Sequence, residues 1–461
     1  MRLVEKNRHI PLLGPAISMI GGIVLMNFCS VAWPLLPLLA AAVVLTFLFF
    51  RWPVVQTFFL MINFLLVGML IVQRQPPSIV PSQQAEVVVV SEPVEKPKTI
   101  SVELLLPETG QRVRRYIQKD ERSRALQLGH VLVLNKIGDG YVSAHDWQLG
   151  GGASLRMGYV DRVRLHFLRW RHRLLEHYRQ TPMEDDAYAV LAAMTLGDKS
   201  ALTVELRETY SVTGASHVLA LSGLHLGIIY MLVSSIILGR RRFWLSQVII
   251  VLCIWAFAFL TGLSSSIMRS ATMITVYVIF SVGGRNRSSV NLLAFAAMVM
   301  LMIDPTALFD VGFQLSFMSM LCILLFMPLI ECWWPANHRL TKWIRGIVGV
   351  SVAAQLGVAP LIAFYFGRFP TYFLLTNFIV VPAVTVILYG TLLILLIPSL
   401  GIWLVEVVRM LNKALGWIAQ MPYSSIDGLH PSVLRVCLLY VLLLIVYLII
   451  LRLSSAICRS D

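Results

Sequence analysis

Charge is the scarcest property of this sequence. Only 13% of its 461 residues are charged while 57% are hydrophobic, against about 25% charged in a soluble globular chain. With a mean hydropathy of +0.77, that shortage excludes a soluble globular protein and predicts a polytopic α-helical membrane protein. Acidic residues are the scarcer sign, 24 Asp+Glu against 38 Lys+Arg, for a net charge of +14. Cytoplasmic loops that obey the positive-inside rule account for such an excess. A surface or path for an anion such as nucleic acid is the sharper reading. So few acids in the membrane block argue against a carboxylate relay coupled to protons or sodium.

Other absences narrow the chemistry. There is no GxxxxGK[ST] phosphate loop, no GxSxG nucleophile elbow, no HExxH and no His-x-His-x-Asp-His cluster. ATP-driven motors and the common hydrolase and zinc-protease sites are therefore not expected. The six cysteines form no CxxC and lie mostly in apolar runs, which reads as small hydrophobes. No metal, no cofactor and no catalytic residue is expected, and the chain is read as a non-enzyme. Basic residues precede the first apolar run, a second follows at once, and no A-x-A site intervenes, so a signal anchor fits better than a cleaved leader.

Three apolar segments come first, near 10–28, 31–50 and 53–72. Arg2, Lys6 and Arg8 precede the first and Arg51 separates the last two. Positive-inside then places the N-terminus in the cytoplasm, and three crossings leave residue 75 outside. From 75 to 165 the pattern changes to short β-like runs at 85–90, 100–106, 112–117, 130–137 and 154–160, separated by Pro, Gly and Asp clusters. Five such runs suggest a small β-barrel or sandwich, with an OB-type barrel as the guess. Arg162–Arg179 has the pattern of a basic amphipathic helix. Leu165, Leu168, Leu175 and Tyr178 keep helical spacing, and Arg162, Arg164, Arg169, Arg171 and Arg173 supply charge. It suits a helix on a lipid surface or a phosphate-contacting collar.

Further apolar segments run near 217–238, 243–262, 267–283, 288–303, 311–330 and 346–366, and a last span near 436–451. Residues 369–405 carry no charge. A helix that long would measure about 55 Å against a hydrocarbon core of about 30 Å. Pro370, Pro382 and Pro398 predict that it breaks, into two spans or one span plus a re-entrant piece. Trp403–Gln420 is amphipathic and expected in the interface. The total is expected at roughly ten to twelve spans.

Polar side chains and free backbone are costly in hydrocarbon, so polar breaks in apolar runs mark surfaces that face water, protein or a solute. The first is TGASHVLALSGLHLG at 213–227, with His217, Ser222, Gly223 and His225. On one continuous helix the histidines would lie about 80° apart, but Ser222-Gly223 suits a break. They suit a pore lining better than a zinc site, and a Ser–His pair without an orienting group is weak evidence for an enzyme. The second break is Thr261–Ser266 followed by Arg269, with Asp304 and Asp310 as candidate partners. Gln314, Gln355 and Asn377 are lone polar side chains in later apolar runs, suited to interhelical hydrogen bonds and to a polar lining.

Five segments together resemble one family. TGASHVLALSGLHLG (213–227), GLSSSIMRSATM (262–273), DPTALFDVGFQLSF (304–317), QLGVAPL (355–361) and NFIVVP (377–382) stand in the order and spacing of ComEC/Rec2-type competence proteins. The resemblance implies an inner-membrane channel that passes single-stranded transforming DNA into the cytoplasm. It also implies membrane lipid, a cytoplasmic helicase-like motor and DNA-receptor proteins as partners. Many relatives carry a C-terminal metallo-β-lactamase-like domain; this sequence ends without one, so strand degradation would need a separate nuclease. The expected organisation is membrane spans at 1–74, an extracytoplasmic OB-like domain at 75–165, basic amphipathic and connecting helices at 166–212, and the channel domain at 213–461. The β region is poor in aromatics for base stacking, with Tyr116, Tyr141, Trp147 and Tyr159 only. The runner-up function is a transporter of a small anionic metabolite or envelope precursor, and a membrane enzyme built on His217, Ser222 and His225 comes third.

Overall fold

The structure is a computed structural model. It describes residues 11–29, 34–74, 85–107, 110, 112–135, 140–150, 158–180, 185–237, 243–282, 289–394 and 401–457. The chain divides into two compact units: 76–202 with 255–264, and the remaining segments 1–75, 203–254 and 265–461.

The first unit holds the sheet. Strands β1 (Ala85–Val89), β2 (Val94–Glu95), β3 (Thr99–Leu105), β4 (Arg112–Gln118), β5 (Val131–Leu134), β6 (Tyr141–Val142) and β7 (Trp147–Leu149) lie in the order β6-β4-β3-β1-β5-β7, with β2 on β3. β3 and β4 form the longest pairing, antiparallel from Thr99↔Gln118 to Leu105↔Arg112. β1 pairs antiparallel with both β3 and β5. β6 runs parallel to β4, and β7 antiparallel to β5. The two halves of one stretch, 141–149, thus pair with the two ends of the sheet.

Alternation explains the faces. Val87, Val89, Ile100, Val102, Leu104, Ile117, Leu132, Leu134, Val142 and Trp147 point to one core, each fully buried side chain stabilising the fold by about 1.5–3 kcal/mol. Val88, Val90 and Leu105 point the other way, where Leu165 covers them. Leu165 belongs to helix α5 (Tyr159–Gln180), which follows the short capped helix α4 (Glu121–Arg124). Leu168, Leu175 and Tyr178 of the same stripe are also buried. The apolar stripe expected on lipid is therefore covered by protein. The fifth β-run, 154–160, is not a strand at its end, because Tyr159 and Val160 already belong to α5; its first four residues lie outside the described residues. Helix α6 (Asp185–Leu196) is buried on nearly every side, as an apolar helix without a polar stripe must be.

The second unit is helical. It contains α1 (Leu13–Phe28), α2 (Leu35–Leu48), α3 (Pro53–Gln73), α7 (Val204–Val212), α8 (Ser216–Leu219), α9 (Gly223–Ile236), the start of α10 (Phe243–Leu260), α11 (Ser265–Val282), α12 (Ser289–Ile303), α13 (Val311–Trp333), α14 (Arg339–Phe366), α15 (Phe373–Ile394), α16 (Gly401–Ala419) and α17 (Val433–Ile457). A small hairpin of β8 (Arg368–Pro370) and β9 (Ser425–Asp427) lies among them. Among the described residues, five helices are long and apolar enough to cross a membrane, within α3, α13, α14, α15 and α17, and six shorter apolar helices accompany them.

Glycine sets the closest approaches. A Cβ on Gly22 of α1 would stand 2.0 Å from the Leu65 carbonyl oxygen of α3, and one on Gly68 2.3 Å from that of Met19. Only glycine lets these backbones meet. The charge-free run 369–405 is not one helix, but Pro382 does not break it: β8 ends at Pro370, α15 is a single 22-residue helix that contains Pro382 and ends at Ile394, and α16 starts at Gly401. Pro398 lies outside the described residues. α16 buries Leu404, Val408, Leu411, Leu415 and Ile418 along one face. One cysteine departs from expectation: Cys332 is disulfide-bonded, whereas Cys29, Cys253, Cys322 and Cys437 are free.

Candidate functional site

The polar segment 213–227 breaks where glycine and serine stand. Gly214, at φ +80°, turns the chain after α7, and a Cβ there would stand 2.9 Å from Pro370 Cγ. α8 is a single turn. Ala220 and Ser222 are extended, and α9 starts at Gly223. The two histidines therefore do not share a continuous helix. His217 is exposed, and its Nδ1 donates to the Gly214 carbonyl oxygen, 3.0 Å away. His225 is fully buried. The Ser222 backbone N–H donates to His225 Nδ1 at 3.3 Å, and Ser222 Oγ stands 3.1 Å from the same nitrogen. This is half of a capping box, in which the third helical residue reaches back to the N-cap amide.

That geometry bears on the enzyme reading. Nδ1 accepts, so the proton of the neutral imidazole is on Nε2, and Nε2 is buried with no hydrogen-bond partner. Among the described residues no acid orients the ring, as a Ser–His nucleophile requires. Gly223 brings α9 onto α11, where a Cβ would stand 3.1 Å from Ser270 Oγ. The motif around His225 thus packs against the motif that carries Arg269.

Arg269 is 4% exposed. Of its two candidate partners the structure selects Asp310, whose Oδ1 is 3.7 Å from Nη1. Asp310 also caps α13 by accepting from Phe313 N at 2.8 Å. Asp304 is engaged elsewhere. Its carboxylate accepts from Thr306 N at 3.0 Å and starts the 3-10 turn Pro305–Phe309. Gln314 Nε2 donates to the Leu308 carbonyl oxygen at 3.0 Å, and Tyr365 Oη donates to Gln314 Oε1 at 2.9 Å. Asn377 Nδ2 donates to Ser351 Oγ at 3.0 Å, joining α15 to α14. Gln355, one turn after Ser351, keeps a buried Nε2 with no partner.

Several members of this network carry no signal in a motif search. Tyr210, fully buried in α7, donates to Asn412 Oδ1 of α16 at 2.8 Å. Arg368 of β8 reaches Glu208 at 2.8 Å, Ser211 Oγ at 3.2 Å and the Asp427 carboxylate. Burial works against its charge, but the hydrogen bonds that it donates to the Asp427 and Glu208 carboxylates raise the guanidinium above its ordinary range. A lone arginine at the edge of a charge-free run was the available signal.

In the sheet unit the five collar arginines divide. Arg162, Arg169 and Arg173 are exposed. Arg164 is buried, within 3.4 Å of Glu103 Oε2 and 3.0 Å of the Gly262 carbonyl oxygen. Arg171 stands 3.7 Å from Glu92. Burial depresses the Arg164 guanidinium from its ordinary value and raises the Glu92 carboxyl, with Arg171 pulling Glu92 the other way. Arg164 and Arg171 are thus structural cations, and only the exposed three suit a surface that meets an external anion. Gly262 and Leu263 both take positive φ, +82° and +58°. The leucine is strained there, which presents the Gly262 carbonyl to Arg164.

Comparison with known proteins identifies the framework. A family model described as "Competence protein" matches residues 194–453. All five motif segments fall inside that range. The chain is similar to ComE operon protein 3 of Bacillus subtilis (strain 168), 28% identical over 260 residues, covering 54% of this chain and 32% of that protein. It is also similar to competence protein ComA of Neisseria gonorrhoeae, 28% identical over 194 residues, with 37% and 27% covered. An uncharacterized protein of Aquifex aeolicus (strain VF5) is 28% identical over 204 residues, with 44% and 46% covered. The chain spans less than half the length of each of these relatives, and no solved structure matches it. On a family match that takes in more than half of its residues, this chain belongs to the competence protein family, as a ComEC-type member.

Proposed function

We propose that this chain forms an inner-membrane passage for single-stranded DNA taken up in natural competence. The observation that carries the reading is where the family-matched motifs fall. Each sits at a polar break or polar side chain in otherwise apolar helices: Ser222–His225, Arg269, Asp310–Gln314, Gln355 and Asn377. In a membrane such groups face a cavity or a solute rather than lipid. The membrane reading is supported by apolar side chains left exposed along the long helices, such as Leu434, Leu438, Leu442 and Ile445 on α17. Exposed apolar surface on that scale marks a lipid or protein interface. The N-terminus is assigned to the cytoplasm from Arg2, Lys6 and Arg8, residues outside those described.

The sheet unit is assigned as an extracytoplasmic OB-like barrel. The pairing of 141–149 with both β4 and β5 supports this, since it would join the ends of the four-strand path β4-β3-β1-β5 as a fifth strand and give a partly open barrel. The reading assigns no catalysis to the chain. Translocation force comes from a helicase-like motor on the cytoplasmic side, and a DNA receptor delivers the strand.

The test is uptake of labelled DNA in a strain deleted for the gene. DNA should reach the outer face of the membrane and fail to enter the cytoplasm, with transformation abolished. Normal transformation in that strain would remove this reading and favour a transporter of a small anion.

A further inference from the structure

The electrostatics around Arg269 are unbalanced. A guanidinium is always charged, and this one is 4% exposed. Its Nε is buried with no hydrogen-bond acceptor among the described residues. The nearest carboxylate oxygen, Asp310 Oδ1, stands 3.7 Å from Nη1, beyond hydrogen-bond range. Buried polar groups are nearly always hydrogen-bonded, and one without a partner calls for an explanation.

The guanidinium lies against the first turn of α13, a 23-residue helix. A Cβ built on Gly312 would stand 3.2 Å from Arg269 Nη2 and 2.9 Å from Asp310 Oδ1. Glycine at the second helical position therefore admits the arginine to the helix start. That start is itself positive, equivalent to about half an elementary charge. A cation beside it is an unfavourable arrangement unless an anion is shared. Among the described residues Asp310 is the one carboxylate within ion-pair range of Arg269, its side chain is 51% exposed, and its Oδ1 also accepts from Phe313 N. Guanidinium, helix start and carboxylate sum to about plus half a charge. The amides of Val311 and Gly312 have no acceptor within the helix.

We propose that Arg269, together with the first turn of α13 at Val311–Gly312, forms a seat for a monoanionic phosphodiester of the DNA strand. One phosphate oxygen accepts from the guanidinium and another from the free amides, the usual geometries for Arg and for helix starts. Asp310 competes with the phosphate for the guanidinium. The seat rests on the DNA-passage reading and names the contact within it. Phospholipid headgroups carry the same phosphodiester chemistry, so the test separates the two sources.

The full chain is placed in phosphatidylcholine nanodiscs, and binding of a labelled single-stranded oligonucleotide is titrated against salt. Arg269→Gln should weaken binding about tenfold, and the slope of log affinity on log salt should fall by about 0.7, the value for one single-strand phosphate contact. Asp310→Asn keeps a good N-cap and removes the competitor, so binding should tighten several-fold. A purely structural Arg269–Asp310 pair predicts the opposite sign for Asp310→Asn. That sign therefore decides the matter even if Arg269→Gln folds poorly. Unchanged affinity and slope in both variants would overturn the seat while leaving the passage intact. No oligonucleotide binding by the unaltered chain would overturn both. Less phosphatidylglycerol co-purifying with Arg269→Gln than with the unaltered chain before reconstitution, with oligonucleotide binding unaltered, would assign the seat to lipid and overturn it for DNA.

Discussion

The two units satisfy buried arginine to different degrees. In the sheet unit Arg164 stands within 3.4 Å of Glu103 and also donates to a backbone carbonyl, while Arg171 faces Glu92. Among the described residues, buried donors without an acceptor remain on Arg164 and Arg171 as well as on Arg269, but Arg269 lacks the carbonyl contact that Arg164 makes, and its carboxylate, at 3.7 Å, is beyond hydrogen-bond range. Hydrophobic surface follows the same division. The amphipathic stripe of α5 is covered by the outer face of its own sheet, whereas α17 leaves a long apolar face exposed. A buried charge matched within its own unit serves that unit's stability. A buried charge that is under-matched is costly unless something from outside supplies the partner. Arg164 is therefore the better matched of the two, and Arg269 is the one that the proposed DNA passage would supply with a partner from outside.

Four substitutions test that contrast. The largest effect is expected for Trp147→Ala, which empties the centre of the sheet core. A loss of about 3–5 kcal/mol in the stability of the sheet unit is expected, read by hydrogen exchange of β1, β3 and β5 in the full chain. Exchange rates that stay unchanged there would mean that the sheet does not stand on its own core.

Next comes Arg164→Ala, which leaves Glu103 without its buried partner. Breaking such a pair costs about 3 kcal/mol, and faster exchange should appear along α5 and in 261–264. If DNA binding falls while this exchange stays slow, Arg164 belongs to a collar after all, and the division of the arginines fails.

His225→Ala should cost about 1 kcal/mol of α9 stability through loss of the N-terminal cap. His225→Gln keeps the reach back to the Ser222 amide and should restore it. Uptake that recovers with glutamine marks His225 as a positioning residue. Uptake that stays lost with restored stability would place the imidazole on the path.

The smallest effect concerns pH. Burial raises the Glu92 carboxyl above its ordinary 4.5, against the pull of Arg171. An acid raised on folding contributes stability that is fully present below the unfolded value and is lost as pH rises through the folded one. Protection of α5, corrected for intrinsic exchange, should therefore decline slightly across that window. Glu92→Gln should flatten the decline, and an unchanged profile would mean that Glu92 is not held by α5.

Much of the architecture was legible along the chain. Apolar runs at 10–28, 53–72, 311–330 and 436–451 became α1, α3, α13 and α17 because a long uninterrupted apolar stretch has few other ways to satisfy its backbone. The β-runs at 85–90, 100–106 and 112–117 became β1, β3 and β4, since alternating branched side chains fit a pleated, half-buried surface. The run at 154–160 misled at its end. Tyr159 and Val160 favour strand locally but open α5, where packing on the sheet overrides propensity. The break at Ser222-Gly223 was also legible, from the N-cap preference of serine.

Partnership was not legible. Composition could nominate both Asp304 and Asp310 for Arg269, and only the packing of α11 on the α13 start selected Asp310. The six arginines of α5 look alike in sequence. The fold buries Arg164 against Glu103, 61 residues away, and leaves Arg162 in the open. By itself, then, the sequence determined the helical and sheet regions, the scarcity of charge and the family, because these depend on local pattern and on motifs read in order. The tertiary structure alone decided which charges are matched and which are not. Coulomb and hydrogen-bond energies depend on distances of a few ångströms between residues that lie far apart along the chain.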